Sequence, residues 1–464
     1  MTPSLLDPLR DARYRRLFAA QVTSLVGTGL TTVALALLAH DLAGGDAGAV
    51  LGTVLGMKMV AYVVVAPAVG GIAHRLPRKA LLIGLDVLRA GIVLALPFVD
   101  ALWQVYALIV ALNVAAAGFT PTFQATLPDV LTDEARYTRA LSLSRLAYDL
   151  EALASPALAA FALTLVSYDG LFVADAVTFL VSAALVATTA IPLPSVPERA
   201  RGTLASLTFG VRSYLATPRL RGLLALHFAV SAAGAMVIVN TVVFIQDRLG
   251  LGDTETAWAM AAAGGGSMLA ALTLPRLLDR APERPVMLGG AALLAAVLVA
   301  GAVTTPSLPW LLGLWALTGV GMSLVETPAG RLVRRSCHAA DRSALFSAEF
   351  ALSHAAWLVA YPTAGIVGAT LGLDVAFGVL GALALAAVGV AATVWPRMEA
   401  DTLSHVHEPL EHEHLHLHDE HHGHDHEGWE GPEPHAHPHR HERLVHAHPV
   451  VIDLHHPRWP SAGR

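Results

Sequence analysis

The chain has 464 residues, of which 55% are hydrophobic and only 14% charged, and its mean hydropathy is +0.56. A soluble domain carries roughly 25% charged residues, so most of this chain belongs in lipid. A single cysteine, Cys337, excludes an internal disulfide and a thiolate cluster, and the net charge of −6 is too unevenly spread to point to a nucleic-acid partner.

Met1 to Arg16 is polar, carries Arg10, Arg13, Arg15 and Arg16, and shows no cleavable signal peptide. Twelve runs of about 20 apolar residues follow, each long enough to cross a bilayer as a helix. They lie near 17–39, 48–73, 80–99, 102–126, 141–166, 170–190, 219–245, 257–278, 286–304, 308–328, 343–370 and 374–395. The expected fold is an all-α membrane protein of twelve transmembrane helices, with spans 1 to 12 numbered in that order.

Polar groups inside lipid are costly, so a polar stripe on a span is expected to face water or protein. On span 1, Gln21, Ser24, Thr28 and Thr31 share one side within roughly 80°. On span 3, Asp86 and Arg89 lie one turn apart and are expected to pair with each other or with a neighbouring helix. Span 4 aligns Tyr106, Asn113, Thr120 and Gln124 within roughly 40°. Span 5 carries Arg145 and Asp149 at i,i+4 spacing, with Glu151 on the opposite side near mid-membrane. Span 7 offers His227, Ser231 and Thr241, and span 10 offers Trp315, Thr318, Met322 and Glu326. Lys58, Asp175, Glu349 and His354 complete the ionisable set, and some of these are expected to be structural, His354 among them.

Internal correspondence divides the chain. Tyr168-Asp169-Gly170-Leu171-Phe172 before span 6 parallels Leu373-Asp374-Val375-Ala376-Phe377 before span 12, and Thr120-Pro121 is expected to end span 4 as Thr327-Pro328 ends span 10. The expected units are a six-helix half over 1–190, a linker over 191–218 rich in proline and arginine, a second six-helix half over 219–395, and a tail over 396–464. Arginines crowd the loops after spans 2, 4, 8 and 10, the linker and the N-terminus, while the alternate loops hold almost none apart from Arg248. By the positive-inside rule both termini face the cytoplasm.

Two short charged turns carry a resemblance. Gly70-Gly71-Ile72-Ala73-His74-Arg75-Leu76-Pro77-Arg78-Lys79 follows span 2, and Pro275-Arg276-Leu277-Leu278-Asp279-Arg280-Ala281-Pro282-Glu283-Arg284 follows span 8. They recur about 205 residues apart, as a duplicated bundle requires. The pattern resembles the G-x-L-a-D-r-x-G-r-k turn of the major facilitator superfamily, with His74 and Pro77 departing from it in the first copy and both glycines lost from the second. The resemblance implies gating roles for Arg75, Arg78, Asp279 and Arg280. It also implies that spans 1, 4, 7 and 10 line the cavity, which agrees with the stripes. Ser155-Pro156-Ala157-Leu158-Ala159-Ala160 resembles the G-P-x-x-G-G element of facilitator exporters, with small residues that still permit close packing, and tilts the direction toward export.

The tail is different material. Residues 405–456 hold 18 of the 23 histidines and 11 acidic residues, with frequent proline. His412, His414, His416 and His418 alternate with other residues; His421, His422, His424 and His426 follow, then His435, His437, His439 and His441. Without a periodic apolar face the segment is expected to be disordered unless it binds a ligand. Imidazole and carboxylate suit borderline divalent ions such as Ni²⁺, Co²⁺ and Zn²⁺, and these twelve histidines are the expected tail ligands.

A His-rich tail on such a core resembles the nickel-resistance members of the superfamily. The resemblance implies a proton-coupled exporter of divalent metal in a bacterial inner membrane, nickel foremost, with cobalt or zinc as alternatives. In that reading Gln21, Thr28, Asn113, Gln124, His227, Met322 and Glu326 line the cavity, with His227 and Glu326 on the metal and Asp149 and Glu151 carrying protons. The competing reading is an exporter of small organic molecules, such as a drug or siderophore, with a metal-binding regulatory tail. No G-x-x-x-x-G-K-[ST] run is present, so ATP-driven pumping is not supported. A monomer that is not an enzyme is expected, surrounded by lipid, with no cofactor beyond the transported or tail-bound metal.

Overall fold

A computed structural model describes residues 4–43, 47–73, 76–192, 203–304, 307–397, 403–407, 410–416, 435–441, 444–448, 451–452 and 459. Its helices are α1 (Ala12–Ala43), α2 (Ala47–Ile72), α3 (Arg78–Ala95), α4 (Leu102–Val130), α5 (Glu134–Leu163), α6 (Tyr168–Ala187) and α7 (Thr203–Ala216). The second set is α8 (Pro218–Val242), α9 (Asp253–Leu278), α10 (Glu283–Val303), α11 (Leu308–Arg335), α12 (Arg342–Leu371) and α13 (Leu373–Val394). All but α7 are long and apolar enough to cross a bilayer, α8 with the π-turn Val243–Arg248 that extends it. The protein is therefore an all-α, multi-pass membrane protein with twelve spans.

The first six helices pack on one another, α1 against α6 and α3 against α4 and α6. The last six do likewise, α8 against α12 and α13, and α9 and α10 against α11. Two seams join the bundles, α2 with α12 and α5 with α9. Lipid supplies no hydrophobic drive between helices, so close backbone approach through small residues has to supply contact. The α9–α11 pair shows this: a Cβ on Gly319 would lie 1.8 Å from the Ala263 carbonyl oxygen, and one on Gly266 would lie 1.9 Å from that of Ala316.

Several helices overrun the apolar runs at their arginine-rich ends. Thr120-Pro121 and Thr327-Pro328 do not end spans 4 and 10: α4 continues to Val130 through Pro121 and Pro128, and α11 continues to Arg335 through Pro328. Proline is tolerated where side-chain hydroxyls pair with helix carbonyls nearby. Here the Thr122 hydroxyl donates to the Gly118 carbonyl at 2.7 Å, and the Thr126 hydroxyl donates to that of Thr122 at 2.8 Å. The extra turns carry charged residues out of the apolar zone, where they find partners in the other bundle. The proline-free part of the linker, Thr203–Ala216, is the helix α7, packed against α2 and α12.

Asp86, Arg89 and Asp175 of the first bundle find their partners within it. Arg89 pairs with Asp86, which also accepts from the Ser182 hydroxyl at 2.8 Å. The Arg89 guanidinium lies 4.0 and 4.4 Å from the ring centres of Phe119 and Phe179. Asp175 accepts from Thr31 at 2.6 Å and Thr178 at 3.1 Å.

The described parts of the tail are ordered as strands, contrary to the expected disorder. β1 (Leu403–His407) pairs antiparallel with β4 (Leu444–His448), and β2 (Leu410–His416) with β3 (His435–His441). The register sets His412 opposite His439, His414 opposite His437 and His416 opposite His435. Alternation of histidine with other residues has the two-residue period of a strand, which is why this composition pairs.

Candidate transport site

A cavity of about 640 Å³ lies between the bundles and draws its walls from both. Gln21, Thr28, Gln124 and Glu151 come from the first bundle, and His227 and Glu326 from the second. Five of them belong to the polar stripes of spans 1, 4, 7 and 10, and Glu151 comes from span 5, outside any stripe. Asn113 does not join them: it is buried and donates to the Ile109 carbonyl of its own helix at 2.8 Å. Met322 packs with the apolar core of the second bundle. Both lie within their stripes by angle but about one turn beyond the cavity, whose lining on α4 begins at Ala116 and on α11 at Glu326.

The site also holds residues not assigned to it from sequence. His227 Nε2 lies 2.6 Å from Glu349 Oε1, and the Tyr214 hydroxyl on α7 donates to Glu349 Oε2 at 2.5 Å. Burial, with the carboxylate beside it, pushes the Tyr214 phenol well above its usual range, so it remains a hydrogen-bond donor. On the same wall, His354 Nδ1 is 2.6 Å from the Phe350 carbonyl oxygen. A carbonyl only accepts, so His354 Nδ1 carries a hydrogen and donates it. Lys58 and Tyr62 of α2 face this wall, with the Tyr62 ring edge-on to His354 at 4.9 Å. The ionisable residues in spans 2 and 11 were the available signal; Tyr214, outside the spans, offered none.

Arg145 organises the centre. Its Nε donates to the Ser267 hydroxyl at 2.9 Å and stands 3.2 Å from Asp149 Oδ1, while Nη1 pairs with Glu326 of the other bundle. Asp149 and Glu326 are thus tied to one guanidinium. Glu151 is held differently, accepting from the Ser155 hydroxyl at 2.9 Å.

Two clasps close the arginine-rich end. In one, Asp129 at the end of α4 pairs with Arg78 of its own bundle and Arg342 at the start of α12. In the other the signs are reversed: Arg331 at the end of α11 pairs with Glu283 of its own bundle at 3.0 Å and Glu134 at the start of α5 at 2.6 Å. The repeated turns feed both, since Arg78 and Glu283 each follow the proline of their copy. Asp279 adds a looser link to Arg139 at 3.7 Å, and Arg280 is exposed. Arg75 lies outside the described residues.

Among the described residues, no three histidine, cysteine or acidic groups stand close enough together to hold a metal ion. Of the expected tail ligands, His412, His414, His416, His435, His437, His439 and His441 lie on β2 and β3, and His418, His421, His422, His424 and His426 fall outside the described residues.

Known proteins can be set beside this geometry. Residues 17–252 and 223–418 match the family model of the Major Facilitator Superfamily. An uncharacterized MFS-type transporter, YfiS of Bacillus subtilis strain 168, is 24% identical over 340 residues, 69% of this chain and 78% of that protein. Among solved structures, the human organic anion transporter MFSD10 (TETRAN) superposes with a TM-score of 0.70 at 15% identity. A bacterial homologue of the iron transporter ferroportin, in its outward-facing state, gives 0.68 at 16% identity. Each covers 82% of this chain and 98% of its own. A twelve-span fold with a cavity between two bundles, matched by the family model across both, means that the chain belongs to the major facilitator superfamily, a membrane transporter that moves a small solute across the bilayer.

Proposed function

We propose that the protein exports a divalent transition-metal cation, nickel foremost and cobalt or zinc next, in exchange for protons. The observation that carries this reading is the His227–Glu349 pair on the cavity wall, an imidazole nitrogen and a carboxyl oxygen 2.6 Å apart with a proton shared between them. Imidazole with carboxylate is a donor set for borderline divalent ions, which must displace a proton to bind it. Two protein ligands completed by water bind a cation tightly enough to load it and weakly enough to release it. The likeness to a homologue of an iron transporter favours the same class.

Glu349 takes the ligand role expected of Glu326, because Arg145 already compensates the Glu326 charge. Glu151, which has no arginine on it, is the better proton carrier, while Asp149 shares Arg145 and helps hold the bundles together. The arginine-rich end faces the cytoplasm of a bacterial cell by the positive-inside rule, so closed clasps there make this the outward-facing state. The tail histidines collect metal beside that face and raise its local concentration.

The test uses everted membrane vesicles given an acid-inside gradient and radioactive nickel, cobalt or zinc. Gradient-dependent uptake should appear with the parent and be lost in Glu349→Gln and His227→Ala, with both variants present in the membrane at parental abundance. Uptake of all three metals equal to that of empty vesicles would refute the reading. A second reading, export of an organic ion, is favoured by one observation. The cavity is large enough for a drug-sized molecule and carries Tyr62, Tyr148, Trp357 and Tyr361. A panel of organic ions in the same vesicles decides between the two.

A further inference from the structure

The helix joining the two bundles makes direct contact with the cavity pair. α7 runs along the arginine-rich face between α2 of one bundle and α12 of the other. Gly210 and Tyr214 lie one turn apart on the same face of α7, and both meet α12. At Gly210 the backbones touch so closely that a Cβ would lie 2.2 Å from the Ala344 carbonyl oxygen. At Tyr214 the side chain is fully buried and its hydroxyl donates to Glu349 Oε2, five residues further along α12 than Ala344. The other oxygen, Oε1, is the one that meets His227.

We propose that Tyr214 is a positioning residue of the transport site, through which α7 senses whether the His227–Glu349 pair is occupied. The phenol occupies one carboxylate oxygen and thereby aims the other at His227 and the cavity. A carboxylate with one oxygen fixed has fewer orientations to lose when a cation binds, so it binds at lower concentration. The contact works in both directions, since whatever draws Glu349 toward a bound cation loads or unloads the hydrogen bond that docks α7. Because α7 also touches α2, its docking bears on how the two bundles meet at this end. Lys58 and Tyr62 of α2, Glu326 of α11 and His354 of α12 lie near the pair, and none of these stands between Glu349 and Tyr214. This inference rests on the reading that the pair binds the cargo, and one arm of its test is independent of that reading.

The first arm needs no cargo. Tyr214→Phe keeps the ring and removes only the hydroxyl, and Glu349→Leu removes the oxygen that accepts from it. Hydrogen exchange at the amides of α7 should quicken about tenfold in each, the scale of losing one hydrogen bond to a charged group. Parental exchange in both variants would overturn the proposal even if metal transport were confirmed. The second arm uses nickel in everted vesicles containing the full chain. Tyr214→Phe should raise KM about tenfold and leave kcat within about twofold. A residue needed only for folding would instead lower abundance or kcat. Gly210→Ala, which lifts α7 from α12, should reproduce the KM change, and the double variant should be no worse than either single one. Additive effects, or a parental KM in Tyr214→Phe, would overturn it. If nickel is not transported at all, the metal reading falls and the exchange arm alone decides the role of Tyr214.

Discussion

Substituting Arg342 with glutamine should release the closed arginine-rich end without unfolding the protein. Arg342 and Asp129 have side chains only 16% and 12% exposed, so their bond across the bundles is shielded from water. Asp129 keeps Arg78, whose side chain is 2% exposed, so the substitution strands no buried charge. What is lost is one charge-assisted hydrogen bond made only when the end is closed, about 1.5–3 kcal/mol, or about 10- to 150-fold in the ratio of closed to open molecules. The second clasp is weaker. Glu134 is 53% exposed, and an exposed pair contributes less than about 1 kcal/mol, so Glu134→Gln should shift the ratio less than about fivefold. Spin labels at Thr132→Cys and Ala339→Cys, in a Cys337→Ala background, straddle the first clasp, and pulsed-EPR distances report the two populations. An unchanged distribution in Arg342→Gln, or a shift as large in Glu134→Gln, would refute the assignment of the closed state to these bonds.

Gly319→Ala should lower the thermal midpoint in detergent by about 1–3 kcal/mol equivalent, because its methyl meets a backbone oxygen at 1.8 Å that cannot yield; Gly313→Ala, with nothing within 4 Å, should be neutral or stabilising. Cys337 is half-buried, and desolvation pushes its thiol up to about 12, so alkylation at pH 7 should be slower than that of a free thiol. An exposed Arg10→Cys should react with an impermeant reagent in inside-out vesicles and not in intact spheroplasts, the reverse result placing the termini outside. Asp11 caps α1, accepting from the Arg13 amide at 2.8 Å, and its hydrogen-bonded partner Arg13 holds it below the usual carboxylate range. The stabilisation is full above the unfolded value near about 3.9 and is lost as pH falls through the lower folded value. Asp11→Ala should therefore cost about 0.5–2 kcal/mol at pH 7 and progressively less below about pH 4, read from thermal unfolding across that range.

What lies within one turn of helix is legible in the sequence. Twelve apolar runs become twelve spans because a bilayer leaves the backbone no other partner than its own carbonyls. Asp86 with Arg89, and Arg145 with Asp149, pair as their spacing of three and four residues requires. The inner faces of spans 1 and 4 are marked by Gln21, Thr28 and Gln124 for the same reason. The choice among distant partners belongs to the tertiary structure. Arg145 takes Glu326 from 181 positions away, His227 takes Glu349 from 122, and Glu349 takes Tyr214 from 135. Those choices depend on how far each helix is rotated and how closely its neighbour approaches. Backbone contacts such as Gly319 on Ala263 and Gly210 on Ala344 set both, and a glycine in a span does not name the carbonyl it will meet. Asn113 and Met322 share their stripes with residues that reach the cavity, yet they lie about a turn beyond its end, one bonded to its own backbone and the other in the apolar core.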